Sequence, residues 1–223
     1  MTSEPDPPWL REAAGAIAHE LLGWLRALAA VTRSPRRFCA EWAAGESHPL
    51  NPLAFALNTL ALAGPAAALL AHLIGIEDDV LPLWVQILKP AFPWLYNLVW
   101  LVPVHFGLRA LGGTRRLGTT VGAAFYAGGP LQIARIFYVP LQLSAMAHPG
   151  DLRVALTLLL SGFVMMALFC GYTSAALAGA HRMKAWRAAV VVVVVFVISA
   201  IVWAWIGIHS GNAGMRVIRA IIT

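Results

Sequence analysis

Residues 188–208, AAVVVVVVFVISAIVWAWIGI, contain neither a charged side chain nor a proline. A helix needs ~20 apolar residues to cross a hydrocarbon core ~30 Å thick, and this run is that long. In lipid a lone crossing segment must satisfy its own backbone N–H and C=O groups, which only a helix does. Four further apolar stretches approach or exceed the same length, at about 53–76, 92–108, 119–147 and 154–180. Composition agrees: 12% of the residues are charged, against about 25% in soluble domains, and the mean hydropathy is +0.73. The expected fold class is all-α, a polytopic membrane protein with five transmembrane helices.

Residues 1–50 have a different character and form an expected cytoplasmic N-terminal segment. The start, MTSEPDPPW, is acidic and proline-rich and lacks the basic and apolar parts of a signal peptide, so insertion is expected to rest on the spans. From Trp9 to Val31 the apolar residues Leu10, Ala13, Ile17, Leu21, Trp24 and Leu28 recur every three or four positions. Arg11, Glu12, His19 and Arg26 fall mostly on the other side. This predicts an amphipathic helix over 9–31, lying in the headgroup plane or packing on a partner. Ser34-Pro35 reads as an N-cap followed by proline at the first helical position, opening a short helix PRRFCAEWA. HPLNP (48–52) then breaks the chain before the membrane domain, 51–208.

Within that domain Gly64-Pro65 sits mid-span, EDD (77–79) makes an acidic turn, and LPLWVQILKPAFPW (81–94) starts as a short interfacial piece. RALGGTRRLG (109–118) and HRMKAWR (181–187) are basic loops, HPGD (148–151) is a turn, and 209–223 is a short tail. With the N-terminus inside, the inner segments hold eleven basic residues: Arg11, Arg26, Arg33, Arg36, Arg37, Arg109, Arg115, Arg116, Arg182, Lys184 and Arg187. The outer segments hold four, Lys89, Arg153, Arg216 and Arg219, with Arg135 uncounted. The positive-inside rule then predicts a cytoplasmic N-terminus and an outside C-terminus. The pI near 10 follows from this clustering beside spans, which argues against nucleic acid as a partner.

The order of landmarks resembles the Yip domain family, named for Rab-GTPase-interacting proteins of the secretory pathway and widespread in prokaryotes. SPRRF (34–38) matches its segment before the first span, and VHFGLRALGG (104–113) its histidine-containing stretch with a Gly-Gly loop. Tyr126 and Pro130 match a tyrosine and proline of its third span, and AGAHRMKAWRA (178–188) the loop before a valine-rich fifth span. The resemblance covers roughly residues 30–207. It implies a five-span helical domain with a cytoplasmic N-terminus, and it supplies no catalytic residues. For eukaryotic members it also implies GTPase binding and trafficking. The acidic Asp-Leu-x-Gly-Pro pattern of those members is missing here, where only Gly64-Pro65 remains, and the alanine- and arginine-rich composition points to a bacterial inner (plasma) membrane.

Several chemistries lack their residues. All ten carboxylates lie in the N-terminal segment or in expected outer loops, which disfavours a proton-coupled transporter built on intramembrane carboxylates. His72 and His105 fall near span ends, where interfacial hydrogen bonding is expected. The seven histidines are scattered singly, and Cys39 and Cys170 have neither metal nor disulfide spacing. Ser161-Gly162 and Ser174 lie on an apolar helix without a nucleophile-elbow pattern. No catalytic residue, metal or cofactor is expected, and the chain is not expected to be an enzyme.

The third span, 119–147, is the exception among the five. FYAGGPLQIARIFYVP (125–140) interrupts an apolar run with Gly128-Gly129-Pro130 and carries Arg135, so a broken helix is expected. In one reading the helix turns at Gly128-Gly129-Pro130, residues 117–127 are interfacial or re-entrant, and Arg135 extends its stem to nearby phosphates. In the other, Gln132, Arg135, Tyr138 and Gln142 line a polar site, faced by Asn58 and Asn97. On the fourth span Ala167, Gly171, Ala175 and Gly179 recur every four residues, a small-residue stripe for close helix packing or self-association. Arg36, Arg37, Arg109, Arg115, Arg116, Arg182, Lys184 and Arg187 form a basic inner surface for anionic lipid. The expected function is that of a non-enzymatic membrane organiser or adaptor whose partners are membrane lipids and other membrane-associated proteins, with homo-oligomers possible. The alternative is a small transporter or channel with a path beside the third span.

Overall fold

A computed structural model describes residues 8–46, 48, 50–73, 91–147 and 151–209. The acidic turn 77–79, most of the proline-rich piece 81–94, most of HPGD, the tail beyond 209 and the first seven residues lie outside the described residues. The described chain is entirely helical: α1 Pro8–Arg33, α2 Pro35–Ala43, α3 Pro52–Leu73, α4 Ala91–Ala110, α5 Leu117–Ala147, α6 Leu152–Ala180 and α7 Ala185–His209. Among the described residues three stretches are long and apolar enough to cross a membrane, Trp9–Arg33, Leu152–Ala180 and Ala185–Val202; Pro52–Ala67 and Leu98–Ala110 are shorter apolar helices.

Local chemistry sets most boundaries. Pro35 opens α2, although Ser34 in the N-cap position makes no side-chain capping bond. The Asp151 carboxylate accepts from the Arg153 N–H at 2.8 Å and caps α6. The α4–α5 and α6–α7 hairpins close alike at one end of the bundle. Gly113 N–H donates to Leu108 O at 2.8 Å, and Met183 N–H to Ala178 O at 2.9 Å. Each closure needs a left-handed residue, supplied by Gly112 in one and by Arg182, with φ of 52°, in the other.

The expected break in the third span is absent: α5 runs unbroken through Gly128-Gly129-Pro130. These glycines serve close approach instead. A Cβ on Gly129 would overlap the Phe55 ring of α3, and one on Gly122 would overlap the Trp42 ring of α2. A sequence reader sees two helix-weakening residues and a proline, whereas the helix is held by what packs on it.

α5 is 31 residues long, about 46 Å at ~1.5 Å per residue, and α6 is 29 residues, about 44 Å. Both are longer than a ~30 Å core needs, and α1 and α2 pack at their hairpin end. Tyr126 is the hub there. Its hydroxyl donates to Leu50 O at 2.6 Å, and its ring meets Phe38, Trp42 and Phe55 at 4.8, 5.5 and 5.3 Å. On α6, Tyr172 donates to Thr32 O, and a Cβ at Gly179 would overlap the Arg36 carbonyl oxygen. Away from this region α6 shows Leu152, Leu156, Leu159, Leu160, Phe163 and Val164 outward, as a lipid-facing surface would.

α1 divides in two. Its second half is anchored: the Trp24 indole N–H donates to Thr59 Oγ1 at 2.9 Å, and Leu28 lies beside Gly129. The contacts of Glu20 and Trp24 on α3 fall on Asn58 and Thr59, within one turn, so α1 crosses α3 instead of running along it. The first half, from Trp9 to Leu22, is exposed throughout, with Trp9 66% and Ile17 68% accessible.

Candidate functional site

A cavity of about 360 Å³ lies among α4, α5, α6 and α7. Trp100, Phe125, Phe169 and Phe196 supply aromatic wall, and Gln132, Arg135, Thr173 and Ser199 supply its polar atoms. Ser199 donates its hydroxyl proton to Val195 O on its own helix. Gln132 is 5% accessible, and its Oε1 has no hydrogen-bond partner among the described residues. Arg135, one turn further along α5, is half-buried, and no described carboxylate lies within ion-pair distance of it. Arg135 therefore sits in the wall of this partly open cavity. It is also level with the outward-facing apolar stretch of α6, because Met165 lines the same cavity.

The residues named from sequence for a polar site fare differently. Gln132 and Arg135 come together in the cavity, and the Tyr138 hydroxyl sits beside Gly162 of α6. Asn58 does not face them: its amide donates to Glu20 Oε2 of α1 at 3.3 Å, on the other side of the bundle. An asparagine in an apolar run signals a polar contact, but which neighbour provides it depends on how α1 crosses. The side chains of Asn97 and Gln142 lie outside the described residues.

The eight basic residues gather at the hairpin end, and half of them serve the fold. Arg36 donates to Met183 O at 3.3 Å, Arg187 to Leu111 O at 3.1 Å and Arg109 to Thr114 O at 3.4 Å, while Arg37 pairs with Glu41 at 2.6 Å. Arg115, Arg116, Arg182 and Lys184 make no side-chain hydrogen bond or ion pair with described residues, and three of them are exposed. Of the small-residue stripe, Gly179 meets α2 closely, whereas Ala167 and Gly171 face outward and nothing lies within 4 Å of a Cβ built on Gly171.

Between the hairpins lies a buried polar chain that residue spacing does not reveal. His105 Nδ1 meets Thr120 Oγ1 at 2.8 Å, and Thr120 Oγ1 meets His181 Nε2 at 2.9 Å. His105 lies near a span end, as read from the sequence, but its partners come from α5 and the α6–α7 loop. Burial, then the nearby His105, Arg115 and Arg109, push the His181 imidazole down to about 4. It is neutral at pH 7, and its Nδ1 has no partner. No cluster of three His, Cys, Asp or Glu side chains suited to a metal occurs among the described residues.

These features define a class, an all-helical protein with helices able to cross a membrane, carrying a partly polar cavity and a basic end. No family model, curated protein or solved structure matches the chain.

Proposed function

We propose that the chain is a multi-pass, Yip-like membrane organiser of the bacterial inner membrane, non-enzymatic and acting through lipid and partner contacts. The observation carrying this reading is the free half of α1, an ordered helix with Trp9, Ile17 and Leu22 uncovered, in a protein whose hairpin end carries exposed basic side chains. In this reading α3 to α7 are the five spans, the hairpin end with its basic loops is cytoplasmic, and the C-terminus is outside.

Length and apolarity would also let α1 cross the bilayer. Its short crossing of α3 and the charges Arg11, Glu12, Glu20 and Arg26 favour an in-plane helix. Arg115, Arg116, Arg182 and Lys184, whose side chains make no hydrogen bond or ion pair with described residues, then meet anionic phosphates at about 1 kcal/mol each.

Environment-sensitive fluorophores on the full chain in nanodiscs, attached at Ile17→Cys or Glu12→Cys, test the reading. An apolar signal at 17 with a watery one at 12 is expected. Apolar signals at both sites would make α1 a crossing helix, and watery signals at both would remove lipid as its target. A solute path through the cavity is the second reading, and counterflow from proteoliposomes tests it.

A further inference from the structure

We propose that the cavity among α4 to α7 binds a single-chain acidic amphiphile, with its acid group at Arg135 and Gln132 and its tail along the aromatic wall. The site stands apart from the basic end and does not depend on how α1 meets the membrane.

Three observations converge. Arg135 brings a guanidinium into a cavity where no described carboxylate balances it, and an unpaired charge at that depth is costly. An acid group would offset that cost, because the planar fork fits carboxylate and phosphate oxygens two at a time. Gln132 precedes Arg135 by three residues, which places both on one face of α5. Its buried Oε1 is an acceptor lacking a donor. A fully ionised carboxylate could satisfy Arg135 only, and a protonated one would leave the guanidinium charge unbalanced. A hydrogen phosphate monoester keeps both a negative charge and an O–H, and satisfies both.

The rest of the lining selects the tail. Trp100, Phe169 and Phe196 line the wall, and Thr173 and Ser199 are the remaining polar side chains whose hydroxyls face a largely apolar space. At ~30 Å³ for each water-sized group, 360 Å³ holds about a dozen non-hydrogen atoms. That suits one medium-length chain and is too small for a two-chain phospholipid. The cavity lies level with the outward apolar stretch of α6, so the ligand enters by partitioning into the bilayer.

The test uses the full chain in neutral-lipid nanodiscs and radiolabelled octyl phosphate, with empty nanodiscs subtracted. Saturable binding near one molecule per chain is expected, displaced by unlabelled octyl phosphate but not by octanol. Arg135→Gln and Gln132→Leu should each weaken binding by about tenfold, and Ala124→Phe, which fills the cavity, should abolish it. Arg153→Gln, which removes an exposed cation outside the cavity, should leave binding unchanged. Absence of saturable binding to the parent chain, displacement by octanol as strong as by octyl phosphate, or parent-like binding in Gln132→Leu and Ala124→Phe would overturn the proposal. The last two variants keep the test decisive should Arg135→Gln fail to fold.

Discussion

The two ends of α5 and α6 are held by different means. At the hairpin end glycine faces backbone or ring, Tyr126 is ringed by aromatics, and Thr120 joins His105 and His181 across helices. Further along the same helices the neighbours separate around a cavity that holds Gln132 and Arg135. The first region has little slack. The second keeps open space beside polar side chains, as binding sites do and packing cores do not.

Substitutions at the two ends should therefore differ in kind. The largest effect is expected from Gly179→Ala, whose new methyl would overlap the Arg36 carbonyl oxygen, an atom of backbone that cannot swing aside. A loss of about 3 kcal/mol is expected, read as a fall in thermal stability of the detergent-purified chain; a parent-like transition would mean that α2 is not seated on α6. Thr120→Val keeps the shape but strips both histidine contacts from a buried hydroxyl and should cost about 2 kcal/mol, in the same measurement.

A smaller effect is expected from acid. His181 has its folded value lowered from 6.5 to about 4, so between these values the unfolded chain binds more protons than the folded one. The stability it contributes is fully present above pH 6.5 and is lost as the pH falls toward 4. A melting series across that window should slope downward, and His181→Gln should flatten it. The smallest effect is expected at Gly171→Ala, on the outward part of the stripe. With nothing within 4 Å, the added methyl should stabilise α6 by roughly 0.5–1 kcal/mol. A loss there would instead reveal a second helix seated on that face.

Helices were legible from apolar runs and from punctuation such as Pro35, Asp151 and Gly112, because these act within a few residues of chain. The expected spans at about 92–108, 154–180 and 188–208 lie inside α4, α6 and α7, and that at about 53–76 overlaps α3. Gly128-Gly129-Pro130 misled because its meaning is tertiary: the glycine that looks like a break is the space Phe55 occupies. Gln132 and Arg135 were legible as polar residues in an apolar run, and the structure brings them to one cavity. The Thr120–His181 contact joins residues 61 apart and leaves no local spacing to read. Nor does sequence show which half of α1 is covered, since both halves carry the same amphipathic repeat.

The docking of α1 and α2 onto the far end of α6 also sets an order in time. Thr32 meets Tyr172 and Arg36 meets Met183, pairs separated by 140 and 147 residues. Chains grow from the N-terminus, so the first two helices leave the ribosome long before their seat exists. Throughout that interval they need a place to wait, and the in-plane position proposed for α1 would supply one on a membrane surface. The last helices made then complete a socket for the first, so the finished fold is closed by its beginning.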